Sequence, residues 1–285
     1  MKSSQNEKLQ IWGEYVEGLF ADKNGQSRQV HLNENLLRER ATLGKVCEKL
    51  HIDETLSFED FVNGVWDAKN GKAPGRSGVH VLALKACVPT RAAMQAAKSE
   101  GREIAPENEM ARLIFSLARC MFLTGTLPSE YRKALLVFIH KKDDRMVCSN
   151  YRGISLIESL LKVVTSIVWQ RVQASLESVD FFLRSQVGFR KGEEAMSQVI
   201  TLFEVCRARK CMMQLTWLVF LDMRKAYDSC DHAKMLLFLA ESGVDPRGII
   251  FQFFVSLYRL LEMATKVGMD ETEFKIQLRG LRQGC

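Results

Sequence analysis

LTWLVFLDMRKAYDSCD, residues Leu215–Asp231, joins a run of seven mostly apolar residues to a single acid, Asp222. A run of this length that is rich in β-branched and aromatic side chains is typical of a strand buried on both faces. We therefore expect Leu215–Leu221 to be a strand inside a sheet, with Asp222 at its carboxyl end. Helices and a β-hairpin are predicted before it, which makes the fold class α+β.

A carboxylate at the end of a buried strand needs a partner, because a dry and unpaired charge costs several kcal/mol. Asp222 is therefore expected to face a polar cleft, a metal ion or a cation. Tyr227 and a second acid, Asp228, follow closely in the sequence. An aspartate at a sheet edge beside an aromatic side chain is suited to Mg²⁺-dependent chemistry on a phosphate substrate.

Composition points to a folded domain with one basic region. The 285 residues are 47% hydrophobic and 26% charged, which allows one large domain or two modest ones and argues against bulk disorder. The net charge is +6, and the window from Tyr131 to Arg190 holds ten Lys/Arg against five Asp/Glu. Such a local surplus is either the footprint of a bound polyanion or an ordinary solvated surface.

The cysteines and the apolar runs exclude several classes of protein. The eight cysteines are scattered, with no C-x-x-C pair, which argues against a zinc site and a disulfide scaffold and favours a reduced intracellular compartment. The first residues, MKSSQNEKLQIWGEYV, lack the apolar core of a signal peptide. No apolar run approaches the ~20 residues of a membrane span, so we expect a soluble protein with no membrane contact.

Local patterns predict most of the remaining elements. Glycines and a proline make Lys69–Gly78, KNGKAPGRSG, a loop, which could cradle a phosphate or be a plain connection. In Glu273–Arg279, Phe274, Ile276 and Leu278 alternate with polar residues, as in a strand with its apolar side facing inward. The other predicted elements are helices at Glu7–Leu50, Glu109–Thr124, Ser159–Leu176 and Asp231–Glu241, the last with an Asp231 N-cap and Gly243 beyond its end, and a hairpin of strands Ala134–His140 and Tyr151–Leu156.

Several segments now resemble one family, in the order in which that family carries them. LDMRKAYD (Leu221–Asp228) resembles motif A of the reverse transcriptases of non-LTR (LINE-type) retrotransposons. The resemblance implies an α+β fold: the fingers and a partial palm of a right-hand polymerase, helix-rich, with a basic β-hairpin and an incomplete palm sheet. The further matching segments are KAPGRSG (Lys72–Gly78, where the family has KAPGPDG), NYRGISL (Asn150–Leu156, the first fingers motif), QVGFRKG (Gln186–Gly192, family QAGFRKG) and RGLRQGC (Arg279–Cys285, the start of motif B).

The resemblance implies roles for the matched nucleotide-site positions. Asp222 would be the catalytic carboxylate that binds both Mg²⁺ ions, with Mn²⁺ as a possible substitute. Tyr227 would lie under the sugar of the incoming dNTP and reject a 2′-hydroxyl. Lys141 and Arg152 would hold the triphosphate, and Gln283 would touch the nucleotide or the template near the primer end.

The resemblance also implies a template path and a domain division. Gln186, Gly188, Phe189 and Arg190 would line the path of the RNA template. Residues 1–68 would be a helical extension and residues 69–285 the reverse transcriptase domain, with RNA template, DNA primer and dNTPs as partners in nucleus and cytoplasm. We expect Asp228 to be structural and the histidines His140 and His232 to be ordinary, since neither has a paired acid or cysteine in local register.

Two alternatives remain open at this point. The family takes its other two metal-binding carboxylates from a Tyr-x-Asp-Asp hairpin after motif B, and this sequence contains none and stops inside motif B. We therefore expect the 285-residue chain alone to be inactive or nearly so in primer extension. It could instead be a non-catalytic RNA-binding remnant of such an element, or a fragment of a group II intron-type maturase, which shares the fold.

Overall fold

The computed structural model describes residues 4–21, 55–190, 192–223, 225–259 and 261–282. The part of the predicted Glu7–Leu50 helix that lies in residues 22–54 falls outside these ranges, as does Gln283. The helices are α1 (Gln5–Phe20), α2 (Phe58–Asp67), α3 (Val81–Cys87), α4 (Arg91–Ser99), α5 (Glu109–Thr124), α6 (Ser129–Arg132), α7 (Ser159–Ser178), α8 (Ala195–Cys211), α9 (Ala226–Ser229), α10 (His232–Glu241) and α11 (Ile249–Tyr258).

The strands form a mixed sheet with the predicted hairpin at one edge. They are β1 (Lys133–His140), β2 (Tyr151–Leu156), β3 (Glu262–Val267), β4 (Asp270–Glu271) and β5 (Lys275–Ile276). Their order is β2-β1-β3-β4, and β5 also pairs with β3. β1 and β2 are antiparallel, from Leu135 opposite Leu156 to His140 opposite Tyr151, whereas β1 and β3 run parallel.

The larger hydrophobic core lies among the helices. The stripe predicted on Ser159–Leu176 is confirmed, since its apolar side chains at i, i+3/i+4 spacing are buried from Leu160 to Leu176, while Trp169 on another face of α7 is exposed. Helices α2, α5 and α11 pack around it with fully buried phenylalanines. This core is built from Phe61, Phe122, Leu161, Val163, Val164, Val168, Val172, Ile250, Phe251 and Phe253, among others.

A second, smaller core joins α1 to the sheet. Val16 and Phe20 of the helix pack against Leu136 of β1 and Met263 of β3. Midway along the helix, the Trp12 ring stacks on Phe138 with centroids 4.1 Å apart. The N-terminal helix therefore covers one face of the strands that carry the predicted fingers hairpin.

Other local predictions are confirmed at their boundaries. The helix Glu109–Thr124 has the predicted bounds, and Gly125, which follows it, adopts a left-handed conformation. The Asp231 side chain caps α10 by accepting hydrogen bonds from the backbone of Ala233 and Lys234, and Gly243 has a positive φ just beyond the helix. Short-range signals sufficed here because each cap bonds residues only two or three positions away.

The strand predicted at Leu215–Leu221 is wrong. This segment has no strand conformation, and its apolar side chains are exposed, with Trp217 at 88% and Leu221 at 92%. A strand is stabilised by the backbone hydrogen bonds of its neighbours. Within the described ranges the sheet pairs β1 to β5 with one another and gives this segment no neighbour, so its apolar composition alone does not produce a strand.

The inward face predicted for Glu273–Arg279 is also wrong. Strand β4 pairs with β3 in an antiparallel register that places Lys266 opposite Glu271. If this register continued, Glu262 of β3 would lie opposite Lys275, but it lies opposite Ile276 of β5. One extra residue between the two pairings is a β-bulge, and a one-residue shift exchanges the two faces of a strand. Gln277 is consequently buried and Ile276 is 56% exposed.

Candidate nucleotide and nucleic-acid site

The tip of the β1–β2 hairpin is a patch of exposed cations. Lys141 follows β1 directly, its backbone N–H donating to Asn150 O at 2.9 Å, and Arg152 lies opposite Ile139 in the ladder. Lys141, Lys142, Arg145 and Arg152 are all exposed, and no salt bridge engages them among the described residues. They outnumber the two exposed acids of the turn, so the tip is suited to a polyanion.

Other cations of the basic window are used inside the protein. Lys133 pairs with Glu130 at 2.7 Å and Arg171 with Asp60 at 3.1 Å, while Lys162 Nζ donates to Ala73 O. Their charge supports the fold, so the surplus counted along the sequence is concentrated at the hairpin tip.

Helix α9 is a short turn that presents Tyr227 and is held from behind by residues 279–282. Tyr227 is 39% exposed, and its carbonyl accepts a hydrogen bond from the Leu281 N–H at 2.7 Å. The Gly280 N–H donates to Cys230 O at 2.7 Å, and Asp231 forms a bridge with Arg279. The segments that resemble motif A and the start of motif B therefore meet through their backbones.

The same turn is held from the front by the N-terminal helix. Lys225 has a left-handed backbone conformation, its Nζ donates to Tyr15 Oη at 3.2 Å, and it lies 5.4 Å from the centre of the Tyr15 ring. Burial raises the pKa of Asp228, and the charges of Lys225 and Lys141 act in the opposite direction. Tyr15, which holds Lys225, also lies edge to face against Phe138 of β1, with ring centroids 6.0 Å apart, so the hairpin and the Tyr227 turn both pack against α1.

Asp222 lies apart from these contacts. It is exposed in the segment between α8 and α9. In the portion of the chain that the structure describes, no three His, Cys, Asp or Glu side chains are grouped closely enough to hold a metal ion. A pair of metal ions about 4 Å apart requires several oxygen ligands. Asp222 could supply one of these ligands, and the described residues do not form a complete metal site.

The predicted template residues lie together in the loop after α7. The Gln186 side chain donates to Gly188 O at 3.2 Å, and Phe189 projects into solvent. Arg190 is different, because its guanidinium forms two hydrogen bonds with the Glu177 carboxylate, at 2.9 and 2.6 Å. The contacts give Arg190 a role in holding the loop, and its contact with template stays a prediction.

Sequence reasoning missed four residues that hold the site. The contact between Tyr15 and Lys225 could not be predicted from local patterns because the two residues are 210 positions apart. Glu177 carried a weak signal, since an acid near the end of a helix that precedes an arginine-bearing loop is suited to pair with it. His232 was expected to be ordinary, yet its imidazole Nε2 lies 2.6 Å from Gly280 O, against the segment that holds the Tyr227 turn.

His232 is expected to make stability depend on pH. Burial lowers its pKa below the ordinary value, despite opposing effects of the Gly280 hydrogen bond and the Asp231 charge. The unfolded chain therefore binds a proton more readily, so stability is fully present above about pH 6.5 and is lost as the pH falls. Urea unfolding at pH 7.5 and 5.5 should show a loss of at most about 1.4 kcal/mol per pH unit from this group.

The variant His232→Gln should flatten this dependence, because glutamine keeps a donor for Gly280 O and does not titrate. The exposed His80, which makes no capping hydrogen bond, provides the matched control as His80→Gln. An unchanged slope in His232→Gln would assign the pH dependence to other groups.

The loop that resembles KAPGPDG is anchored on both sides. Ser77 bonds the Glu158 carboxylate through its N–H, at 3.0 Å, and through its hydroxyl. Arg76 reaches Glu130 at 3.3 Å and Glu271 at 3.8 Å, and lies 5.1 Å over the Phe274 ring. The two residues that depart from the family pattern therefore link the helices to the sheet, and no phosphate cradle is needed to account for them.

Comparison with known proteins gives a family match over half of the chain. The family described as "Reverse transcriptase (RNA-dependent DNA polymerase)" matches residues 139–285, which include the hairpin tip, the template loop and the Tyr227 turn. None of the described helices is long and apolar enough to cross a membrane.

Two curated relatives are named for transposable elements. One is the "Transposon TX1 uncharacterized 149 kDa protein" of Xenopus laevis, 27% identical over 165 residues, or 58% of this chain. The other is the "Putative 115 kDa protein in type-1 retrotransposable element R1DM" of Drosophila melanogaster, 31% identical over 142 residues, or 48% of this chain. The chain spans 12% and 13% of their lengths.

Proposed function

The chain belongs to the reverse transcriptase (RNA-dependent DNA polymerase) family, of the non-LTR retrotransposon type, and we propose on that premise that it forms the fingers and first part of the palm of an RNA-directed DNA polymerase. In the proposed reaction the primer 3′-oxygen attacks the α-phosphate of a dNTP paired to an RNA template, and pyrophosphate leaves. The observation that carries the proposal is the exposed cationic hairpin tip, on a hairpin that packs against α1 together with the Tyr227 turn through the contacts of Tyr15 with Phe138 and Lys225.

In this proposal the exposed cations hold the triphosphate. Negative charge builds on the leaving pyrophosphate, and fixed cations stabilise it most where water is scarce. Lys141 and Arg152 extend from adjacent strands of one hairpin, so a single rigid element positions both charges. Tyr227, half-exposed on a turn braced by Leu281, supplies the ring that a 2′-hydroxyl would strike, and Gln283 would touch the nucleotide or template.

Asp222 is proposed as one metal ligand. Divalent ions are general in this family, and here we propose Mg²⁺, or Mn²⁺ in its place. When bound, the ions supply charge for the developing phosphate oxyanions. Among the described residues no three His, Cys, Asp or Glu side chains form a metal-binding group, so Asp222 is proposed to supply only part of the coordination of these ions.

The domain division is proposed with residues 69–285 as the reverse transcriptase domain and residues 1–68 as a helical extension. Both described helices of the extension pack closely on that domain. α1 covers β1 and β3, and Phe61 of α2 lies in the main core beside α7. We propose that the extension serves as a brace for the hairpin and the Tyr227 turn.

A second candidate, a non-catalytic RNA-binding polypeptide, is favoured by the exposed cations of the hairpin tip together with the finding that the described residues group no three His, Cys, Asp or Glu side chains into a metal site. It predicts RNA binding that weakens with salt, at a log–log slope of roughly −0.7 per phosphate contacted. Lys141→Gln and Arg152→Gln should each make that slope less negative by about 0.7, the contribution of one phosphate contact. Lys98→Gln, whose ammonium pairs with Glu59 in the helical layer, should leave it unchanged.

Primer extension tests whether this polypeptide catalyses synthesis by itself, where the sequence predicts little or no activity. The 285-residue protein is mixed with an RNA template, a DNA primer, dNTPs and Mg²⁺. Template-dependent synthesis that falls about 100-fold or more in Asp222→Asn, a loss of at least about 2.7 kcal/mol of transition-state stabilisation, supports the polymerase. Asp143→Asn, an exposed acid of the hairpin turn, is the matched control. Salt-sensitive RNA binding without synthesis supports the second candidate for this polypeptide.

A further inference from the structure

Phe189 combines two features that are unfavourable unless the ring has a use. Its side chain is 86% exposed, and its backbone has a φ of 63°. A left-handed conformation is uncommon for a bulky side chain, and it persists only where surrounding contacts determine it. Here the ring gains no burial in return, so packing within this chain does not explain the conformation.

The contacts that fix this conformation come from one face of α7. Arg190, the next residue, is bound to Glu177 by Nε–Oε1 and Nη2–Oε2 hydrogen bonds of 2.9 and 2.6 Å. Its third nitrogen, Nη1, donates to Leu183 O and Gln186 O at 3.3 Å. A planar guanidinium can make all of these bonds at once, which lysine cannot.

A second anchor holds Phe189 itself. The Gln173 side chain, one turn before Glu177 on α7, donates to Phe189 O at 3.1 Å. Val172 and Leu176, which directly precede Gln173 and Glu177 on the same helix, lie in the main core. The loop is therefore attached to a rigid helix at two points, one on each side of the Phe189–Arg190 peptide.

From this geometry we propose that Phe189 is a stacking platform for an unpaired base of single-stranded RNA, and that Glu177, Gln173 and Arg190 are positioning residues that present its ring. An exposed aromatic ring held on a rigid support is what single-strand binding uses, because every base has a face on which a ring can stack. Exposed Arg184 in the same loop supplies charge for the backbone. The inference rests on the proposed interaction with RNA, and it assigns Arg190 to the support of the loop.

Binding of a fluorescent single-stranded oligouridylate by the 285-residue protein, followed by anisotropy at several salt concentrations, tests the platform. Phe189→Ala should weaken binding by roughly 5- to 150-fold, the range for loss of one stacked base, and Phe189→Trp should restore it. Leu183→Ala, an exposed apolar residue of the same loop, should bind like the wild type. Wild-type affinity in Phe189→Ala would overturn the platform while leaving the proposed RNA interaction intact.

The positioning role is tested by combining variants. Glu177→Gln should weaken binding in the wild-type background but cause no further loss in Phe189→Ala, because its effect acts through the ring. Thermal unfolding of Glu177→Gln checks that the core is unchanged. Independent, multiplying losses would overturn the positioning role. Absence of salt-dependent binding by the wild type would instead overturn the proposed RNA interaction, and this inference with it.

Discussion

Ser77→Asp, which restores an acid that the family carries in this loop, is expected to destabilise the protein by about 2–4 kcal/mol. The reason is Glu158, a residue that is only 8% exposed and whose carboxylate accepts both hydrogen bonds from Ser77. An aspartate would put a second carboxylate where the hydroxyl now donates. Two like charges at that distance in a poorly solvated place repel each other, or one takes up a proton.

The loop cannot move aside easily, because Gly75 already lies against the same residue. A Cβ placed on Gly75 would come within 2.6 Å of the Glu158 backbone nitrogen. The negative charge of Glu158 is also felt by Tyr131, since burial first and this charge second raise the pKa of the phenol. The contact is therefore close, charged and fixed by backbone.

Urea unfolding of three variants separates repulsion from simple loss of a bond. Ser77→Ala should cost about 1.5–3 kcal/mol, the value of hydrogen bonds to a charged group. Ser77→Asp should cost more than Ser77→Ala. Adding Glu158→Gln to Ser77→Asp should restore most of the stability that this variant loses beyond Ser77→Ala, since an amide can donate to the new carboxylate. Equal stability of the Ala and Asp variants would show that the two carboxylates do not interact.

How much the sequence could predict depended on the distance between interacting residues. The β1–β2 hairpin, the Asp231 cap and the α7 stripe were predicted because each is determined by residues within a few positions or by one repeating pattern. The α+β fold class followed from the order of the predicted elements and the family from five short segments in order, and both are confirmed. The predicted roles of Asp222, Tyr227 and the template residues stay predictions.

Two structural predictions failed because they depended on partners that composition does not reveal. Leu215–Leu221 has the composition of a buried strand, but strand formation needs a neighbour, and none of the described strands pairs with it. Gln277 was placed on the wrong face because a single extra residue before β5 shifts the pairing. Neither the missing neighbour nor the bulge has a signal in the pattern of apolar residues.

The residues that hold the site in place could not be predicted from the sequence for a similar reason. Lys225 bonds Tyr15 from the other end of the chain, and Arg282 bonds carbonyls of residues 131 and 132. Lysine and arginine are ordinarily exposed, so nothing in their local sequence distinguishes these two from surface residues. Their roles follow only from the folded arrangement.

Arg282→Ala is expected to be the most damaging substitution of a charged residue in this structure, at about 3–5 kcal/mol. The side chain is 2% exposed, and its guanidinium donates to Tyr131 O, Arg132 O and Leu257 O, each at 3.2 Å. These carbonyls belong to the segment before β1 and to α11, so one group ties three parts of the fold together. Alanine would leave the three carbonyls without this donor and leave a cavity.

Loss of this tie should also loosen the Tyr227 turn, because Leu281 and Gly280, which bond that turn, directly precede Arg282. Amide hydrogen exchange of residues 279–282 should accelerate in Arg282→Ala, alongside the lower urea midpoint. Arg282→Lys should recover little, since an ammonium cannot reproduce the planar fork. Arg259→Ala, an exposed arginine at the end of α11, should stay within about 0.5 kcal/mol of the wild type. If Arg282→Ala matched that control, the buried guanidinium would not be what holds residues 279–282 against the turn.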